Sequence, residues 1–402
     1  MANVGENGYA QLLEVFKTRI PGVIRFILPF EDPPGRINLP SYVNGKAKDF
    51  VRYRTADGQA YEFPLMSHAQ AVNQFETAIL EGIRDKSFRH PDVNIICKTA
   101  GEIVNLVEEP HRIYSAYICQ KDSTDKEYTT LNGKPFNEEI IGSKLGVYNP
   151  DSRVHTRTAL KYSPTTILFG GWGSHYGLSY APKLTSLVEM GIEGRRIDNQ
   201  VVSRRSPGSY MPKLAMQDSV QDKSDKDEKG RLSERGLASI PPSLSDNMGA
   251  TTLKDIRLTC SFVLDRVSTI TIGDDIQENA AVKVYMTALW FATFYRGLQR
   301  GFSHYHGRPL VMANAPEIDL RYKPMGLSCD QSAEKLRTLL KSGNQDFWEA
   351  VHNVAVDKLV QLKLLTLEPV DLIASPELDK LTFARRQQKK KKNGKKEKGS
   401  DE

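Results

Sequence analysis

Cysteine is scarce. The chain has four in 402 residues, Cys97, Cys119, Cys260 and Cys329, far apart, with no C-x-x-C pair and no histidine nearby at zinc-ligand spacing. They read as structural thiols of a reducing compartment. A secretory signal is missing too, since the opening MANVGENGYAQLL has neither a basic stretch nor an apolar one before a cleavage site. No run is long and apolar enough to span a membrane, because the most apolar stretch, residues 281–298, is interrupted by Lys283 and Arg296. The expectation is a cytoplasmic protein without membrane contact. Internal repeats and an obvious interdomain linker are also absent.

Net charge is present but misplaced for a nucleic-acid argument. The formal value is +6, and residues 385–402, RRQQKKKKNGKKEKGSDE, hold nine Lys/Arg and three acids. Removing them from 55 basic and 49 acidic residues leaves 46 of each in the remaining 384, a neutral body. The tail is expected to be disordered and to touch any polyanion weakly. Binding by the body needs local evidence.

With 39% hydrophobic and 26% charged residues, that body has an ordinary globular composition. A short amphipathic helix is expected at residues 10–17, then a first strand at 23–30 closed by Pro33-Pro34-Gly35. Ser67 caps a helical pattern with Ala71, Phe75, Ile79 and Ile83 on one face and Gln70, Asn73 and Gln74 on the other. Strands are expected at 93–98, 165–170, 197–202 and 256–272. Helices are expected at 277–300, 332–340 and 345–363. Between 203 and 250 the composition turns to Ser, Pro, Asp, Lys and Gly, a long polar excursion from the core. The simplest architecture is a single α+β unit over 1–384 with a mobile insertion at about 203–250.

Catalytic signatures are wanting. The octet GGWGSHYG at 170–177 lacks the GK[ST] ending and the G-x-G-x-x-G spacing of phosphate loops, so a tight turn is the plainer reading. Ser174 is no nucleophile elbow, because Trp172 stands where the glycine would be. His304 and His306 have no H-E-x-x-H frame or adjacent carboxylate to complete a metal site. No carboxylate pair is singled out by spacing. The expectation is a non-enzyme without metal or cofactor.

The informative local bias lies at 195–213, where Arg195, Arg196, Arg204, Arg205 and Lys213 stand against Asp198 alone. A guanidinium donates two parallel hydrogen bonds to a phosphate, and Tyr210 offers a face on which an unpaired base can stack. Charge with stacking suits single-stranded RNA. A solvated arginine-rich loop is the plainer alternative.

Several stretches resemble the large backbone subunit of type I-G CRISPR effector complexes, formerly type I-U, a RAMP-superfamily protein of the Cascade assembly. They are Ser67-His-Ala-Gln-Ala-Val-Asn-Gln-Phe-Glu76, Pro164-Thr-Thr-Ile-Leu-Phe-Gly-Gly-Trp-Gly-Ser174, residues 195–212, and Ser233-Glu-Arg-Gly-Leu-Ala-Ser-Ile-Pro-Pro242 running into Gly249-Ala-Thr-Thr252. They span roughly 60–300 in the family's order. Gly249-Ala250 replaces a paired glycine, and the polylysine tail lies outside the pattern.

The resemblance implies a modified RRM-like palm with inserted finger and thumb elements. Its implied partners are a CRISPR guide RNA, target DNA through guide pairing, further copies of the chain and other Cascade subunits. Ser67, Gln70 and Asn73 are the expected polar contacts to guide phosphates or 2′-hydroxyls. Arg195, Arg196, Arg204 and Arg205 are the expected phosphate ligands, with Trp172 and His175 lining the adjacent turn. N-capping and a wet helix face account for the first set without RNA, and Trp172 fits a core position equally well. Two rivals stand beside this reading. One is a guide-bound ribonuclease of type III kind, using Asp218 or Asp222. The other is a general RNA-binding protein acting through its basic tail.

Overall fold

The computed structural model describes residues 2–30, 35–38, 42–43, 46–47, 50–54, 60–64, 68–98, 102–105, 129–131, 134–135, 152–172, 183–196, 202–203, 249–300, 302–304, 308–310, 317–321 and 327–374. The helices are α1 (Ala2–Phe16), α2 (His68–Arg84), α3 (Ser152–Tyr162), α4 (Pro164–Phe169), α5 (Leu264–Ser268), α6 (Ile276–Arg300), α7 (Leu327–Ser342) and α8 (Gln345–Gln361). Four strands carry the main sheet: β1 (Val23–Pro29), β2 (Val188–Arg196), β3 (Gly249–Val263) and β4 (Glu317–Arg321).

These four lie in the order β2-β3-β1-β4, every pair antiparallel. The chain thus passes from β1 through α2 to β2, skipping the place that β3 later fills. From β3 it passes through α6 to β4, on the far side of β1. The fold is a mixture of helix and strand, as the alternating patterns predicted. β3 extends beyond its core partners, and its first half pairs with Gly35–Asn38 on one edge and Val202–Ser203 on the other. A second, five-stranded sheet runs Lys134–Pro135, Thr129–Leu131, Val370–Ala374, Val93–Cys97, Glu102–Asn105, with Val370–Ala374 parallel to Val93–Cys97.

Period-two burial faces the main sheet toward the helices. Ile24, Phe26 and Leu28 of β1, Leu258, Cys260 and Phe262 of β3, and Val188 and Met190 of β2 are buried, and their neighbours in the strands are less so. Against them lies α6, buried around almost its whole circumference, as an element enclosed on all sides must be. Phe294 sits 4.2 Å, centroid to centroid, from Phe26. Trp290 meets Phe75 of α2, Phe169 of α4 and Phe262 of β3. Trp348 of α8 closes the other side on Phe291 at 4.6 Å, with Asn344 capping α8 through the Phe347 amide at 2.9 Å.

Several expected elements shift. Residues 165–170 form no strand. Residues 165–169 lie in α4, because Pro164 at the first helical turn presets φ and outweighs the β-branched run Thr165-Thr166-Ile167. Of the strand expected at 197–202, residues 197–201 lie outside the described residues and Val202 stands in a short strand, while β2, which was not expected, precedes it with the alternation Val188-Glu-Met-Gly-Ile-Glu193 of a half-buried strand. The strand expected through 272 ends at Val263, where α5 begins. Finally, α1 starts at Ala2 rather than near residue 10. Its Gly5 and Gly8 look like breakers, yet they let α1 touch α8: a Cβ on Gly8 would fall 2.5 Å from Val351 Cγ2, and one on Gly5 2.7 Å from the Ala350 carbonyl oxygen.

Fully buried His352 and half-buried His90 lie where α8 packs on the segment that follows α2, Asn353 bonding the Ser87 carbonyl at 2.9 Å. His352 is fully buried, stacked near Tyr285 and tilted on Phe88. Burial, His90 and Arg89 together push its imidazole down to about 3, the Asn353 amide pulling the other way. Burial holds His90 down to about 4, and its Nδ1 must donate to the Pro91 carbonyl 2.8 Å away. Both rings are therefore neutral when folded, whereas unfolded imidazoles take up protons below about pH 6.5. Stability is complete above that pH and falls as pH drops toward the two folded values, by up to about 1.4 kcal/mol per pH unit for each histidine. Urea melts at neutral and mildly acid pH should show this loss, and His352→Leu should remove about half of its slope.

Candidate nucleic-acid interface

The predicted RNA ligands divide according to where the described residues end. Ser67, His175, Arg204, Arg205, Tyr210 and Lys213 lie outside them, as do Asp218, Asp222, nearly all of the 203–250 excursion and the tail from 385. Gln70, Asn73, Trp172, Arg195 and Arg196 are placed by backbone.

Gln70 stands in the first turn of α2, where backbone amides lack helical acceptors and the helix dipole favours an anion, and Asn73 stands in the turn after it. The helix is amphipathic, with Phe75 and Ile79 fully buried. It packs on both α6 and β2. Phe75 lies against the α6 backbone at Gly297, and Arg300 of α6 bonds Glu81 at 2.8 Å. Arg296, only 14% exposed, joins the far end of α2 to α8 through Asp85 and through Glu349 at 2.9 Å. The hairpin Phe50–Arg54/Ala60–Pro64, just before α2, also packs on β2. The structure thus brings the helix carrying Gln70 and Asn73 onto the strand carrying Arg195 and Arg196.

β2 is fixed at its start. Leu187 donates to the Leu168 carbonyl at 2.9 Å, and Ser186 Oγ donates to the same oxygen at 3.2 Å. Arg266 bonds the Ser186 carbonyl at 2.7 Å and Glu189 at 2.5 Å. Arg195 and Arg196 are at the opposite end, seven and eight residues beyond Val188, roughly 25 Å for an extended chain. The register breaks between Glu193 and Arg195, and thereafter Arg195 pairs with Lys254 and Arg196 with Leu253.

Trp172 belongs to a different local element. Gly170 ends α4 at φ 85°, a conformation open to glycine, and Gly171–Trp172 then pairs with Lys183–Leu184. The start of the glycine-rich octet is therefore a helix stop and one arm of a hairpin, anchored near the start of β2 rather than near its arginines. Lys254 has no second basic residue beside it in the sequence to mark it. It sits 58 residues from Arg196 in the chain, and only strand register reveals them as neighbours.

The arrangement is that of a helix-backed antiparallel sheet in which the helix that begins with Gln70 and Asn73 packs on the strand that ends in Arg195 and Arg196. Residues 28–199 match the model of a family described as CRISPR-associated protein GSU0053, and this similarity supports a role in a CRISPR system. The matched span takes in α2, Trp172, His175, Arg195 and Arg196 and stops before Arg204. No curated protein matches the chain. Among the described residues, no helix is long and apolar enough to cross a membrane.

Proposed function

We propose that this chain is the repeated backbone subunit of a type I-G (formerly I-U) CRISPR effector complex, a cytoplasmic RAMP-superfamily protein that binds the guide RNA. Copies polymerise along the guide, associate with other Cascade subunits and support its pairing with target DNA. The observation that carries this is the CRISPR-associated family match, which covers α2 and the Arg195-Arg196 pair. The β-α-β-β-α-β order, with its two interleaved crossovers, supports a modified RRM/ferredoxin-like palm. The excursion at 203–250 serves as the thumb-like element that reaches a neighbouring copy.

In this role the protein performs no catalysis. Base pairing reads the target sequence, and the protein supplies backbone contacts and shape. Ser67, Gln70 and Asn73 contact phosphates or 2′-hydroxyls, and the arginines neutralise phosphates.

The test is assembly on guides of graded length, weighed by mass photometry. The number of bound copies should rise in steps with guide length; one copy at every length would refute polymerisation. Guide-matched RNA added with magnesium should stay intact, and evenly spaced cleavage products would refute the non-enzymatic role.

A further inference from the structure

Charge separates along the main sheet once the strands are in register. In its helix-backed part, Val23–Pro29, 188–193, 255–263 and Glu317–Arg321 carry three basic residues, Arg25, Arg257 and Arg321, and five acidic ones, Glu189, Glu193, Asp255, Glu317 and Asp319. In the extension, Gly35–Asn38, 195–196, Val202–Ser203 and 249–254 carry Arg36, Arg195, Arg196 and Lys254 and no acid. A chain whose body is neutral overall thus has one end of its sheet purely cationic.

The register makes that end more specific. Lys254 pairs with Arg195, Leu253 with Arg196 on one side and Gly35 on the other, and Thr252 with Arg36. Four cations occupy three successive rungs. Regular pairing continued from Ile192↔Leu258 would have set Arg195 opposite Asp255, an attractive pair. The irregularity between Glu193 and Arg195 instead sets it opposite Lys254. Like charges directly opposed across an antiparallel pair repel, and a bulge of this kind characteristically re-aims side chains beside a site. A bound anion converts the repulsion into attraction.

We infer that Arg36 and Lys254 join Arg195, which strand alternation sets on their face of the sheet and Arg196 on the other, in one seat for successive phosphates of an RNA strand, and that the register shift between Glu193 and Arg195 assembles it. This rests on the proposed guide-binding role and adds two residues and a local device to it. Arg36 and Lys254 come from segments far from the 195–213 run, so the seat exists only in the folded sheet.

The test is a salt titration of poly(U) binding to the full chain by fluorescence anisotropy. Lys254→Gln and Arg36→Gln should each reduce the slope of log K against log salt by about 0.7, as Arg195→Gln does. Lys254→Arg should keep the wild-type slope, and all variants should melt like the wild type. If Lys254→Gln and Arg36→Gln kept the wild-type slope while Arg195→Gln lost it, the three-residue seat would be wrong and the guide-binding role would stand. Wild-type binding without salt dependence would remove both. Tighter binding of poly(dT) than of poly(U) would also overturn the assignment to RNA.

Discussion

Truncating Trp290 to alanine is expected to cost about 3–5 kcal/mol of stability, enough to leave much of the protein unfolded near its growth temperature. The indole is fully buried at the centre of α6, between Phe75, Phe169, Phe262 and Phe294, which come from α2, α4, β3 and α6 itself. A void there loses contacts with every layer at once, and the close-packed surroundings relax only in part. Among the described residues the indole N–H has no hydrogen-bond partner, so the loss is one of packing. Trp290→Phe should therefore cost well under half as much. Urea melts followed by circular dichroism measure both, and a phenylalanine variant as unstable as the alanine one would contradict the packing explanation.

Replacing Arg195 and Arg196 together by alanine is expected to weaken single-stranded RNA binding on the order of 100-fold or more at low salt. Two charge-assisted hydrogen bonds are worth about 1.5–3 kcal/mol each, and about 1.4 kcal/mol is tenfold. The effect should be uniform across RNA sequences, since phosphates carry no sequence information. Deleting 385–402 provides the comparison. Although that tail owns the whole net charge, its removal should leave guide-dependent assembly intact. Filter binding and mass photometry on the two variants read the difference. Assembly lost with the tail but kept without the arginines would move the binding surface out of the folded body.

What was legible in the sequence depended on the range over which its cause acts. α6 was legible nearly to the residue and α2 at its start and buried face, though α2 ends at Arg84 and not near residue 89, because a helix's buried face repeats within its own few turns, as Phe75 and Ile79 show. β1 was equally plain. α4 was misread because Thr165, Thr166 and Ile167 favour strand, while a single proline and packing on α6 decide for helix. The beginning of α1 was missed for the complementary reason: Gly5 and Gly8 are costly in an isolated helix and are tolerated by close approach to a helix some 340 residues away. The candidate interface followed the same rule. Arg195 and Arg196 announce themselves as a local pair, whereas Lys254 and Arg36 become their neighbours through pairing with β3.

The most direct measurement is of the RNA that accompanies the protein when it is expressed with a CRISPR array and its partner subunits and purified intact. Guide binding predicts a single RNA species of uniform length with repeat-derived ends, released by high salt. RNA of mixed length and unrelated sequence, or none, would contradict it.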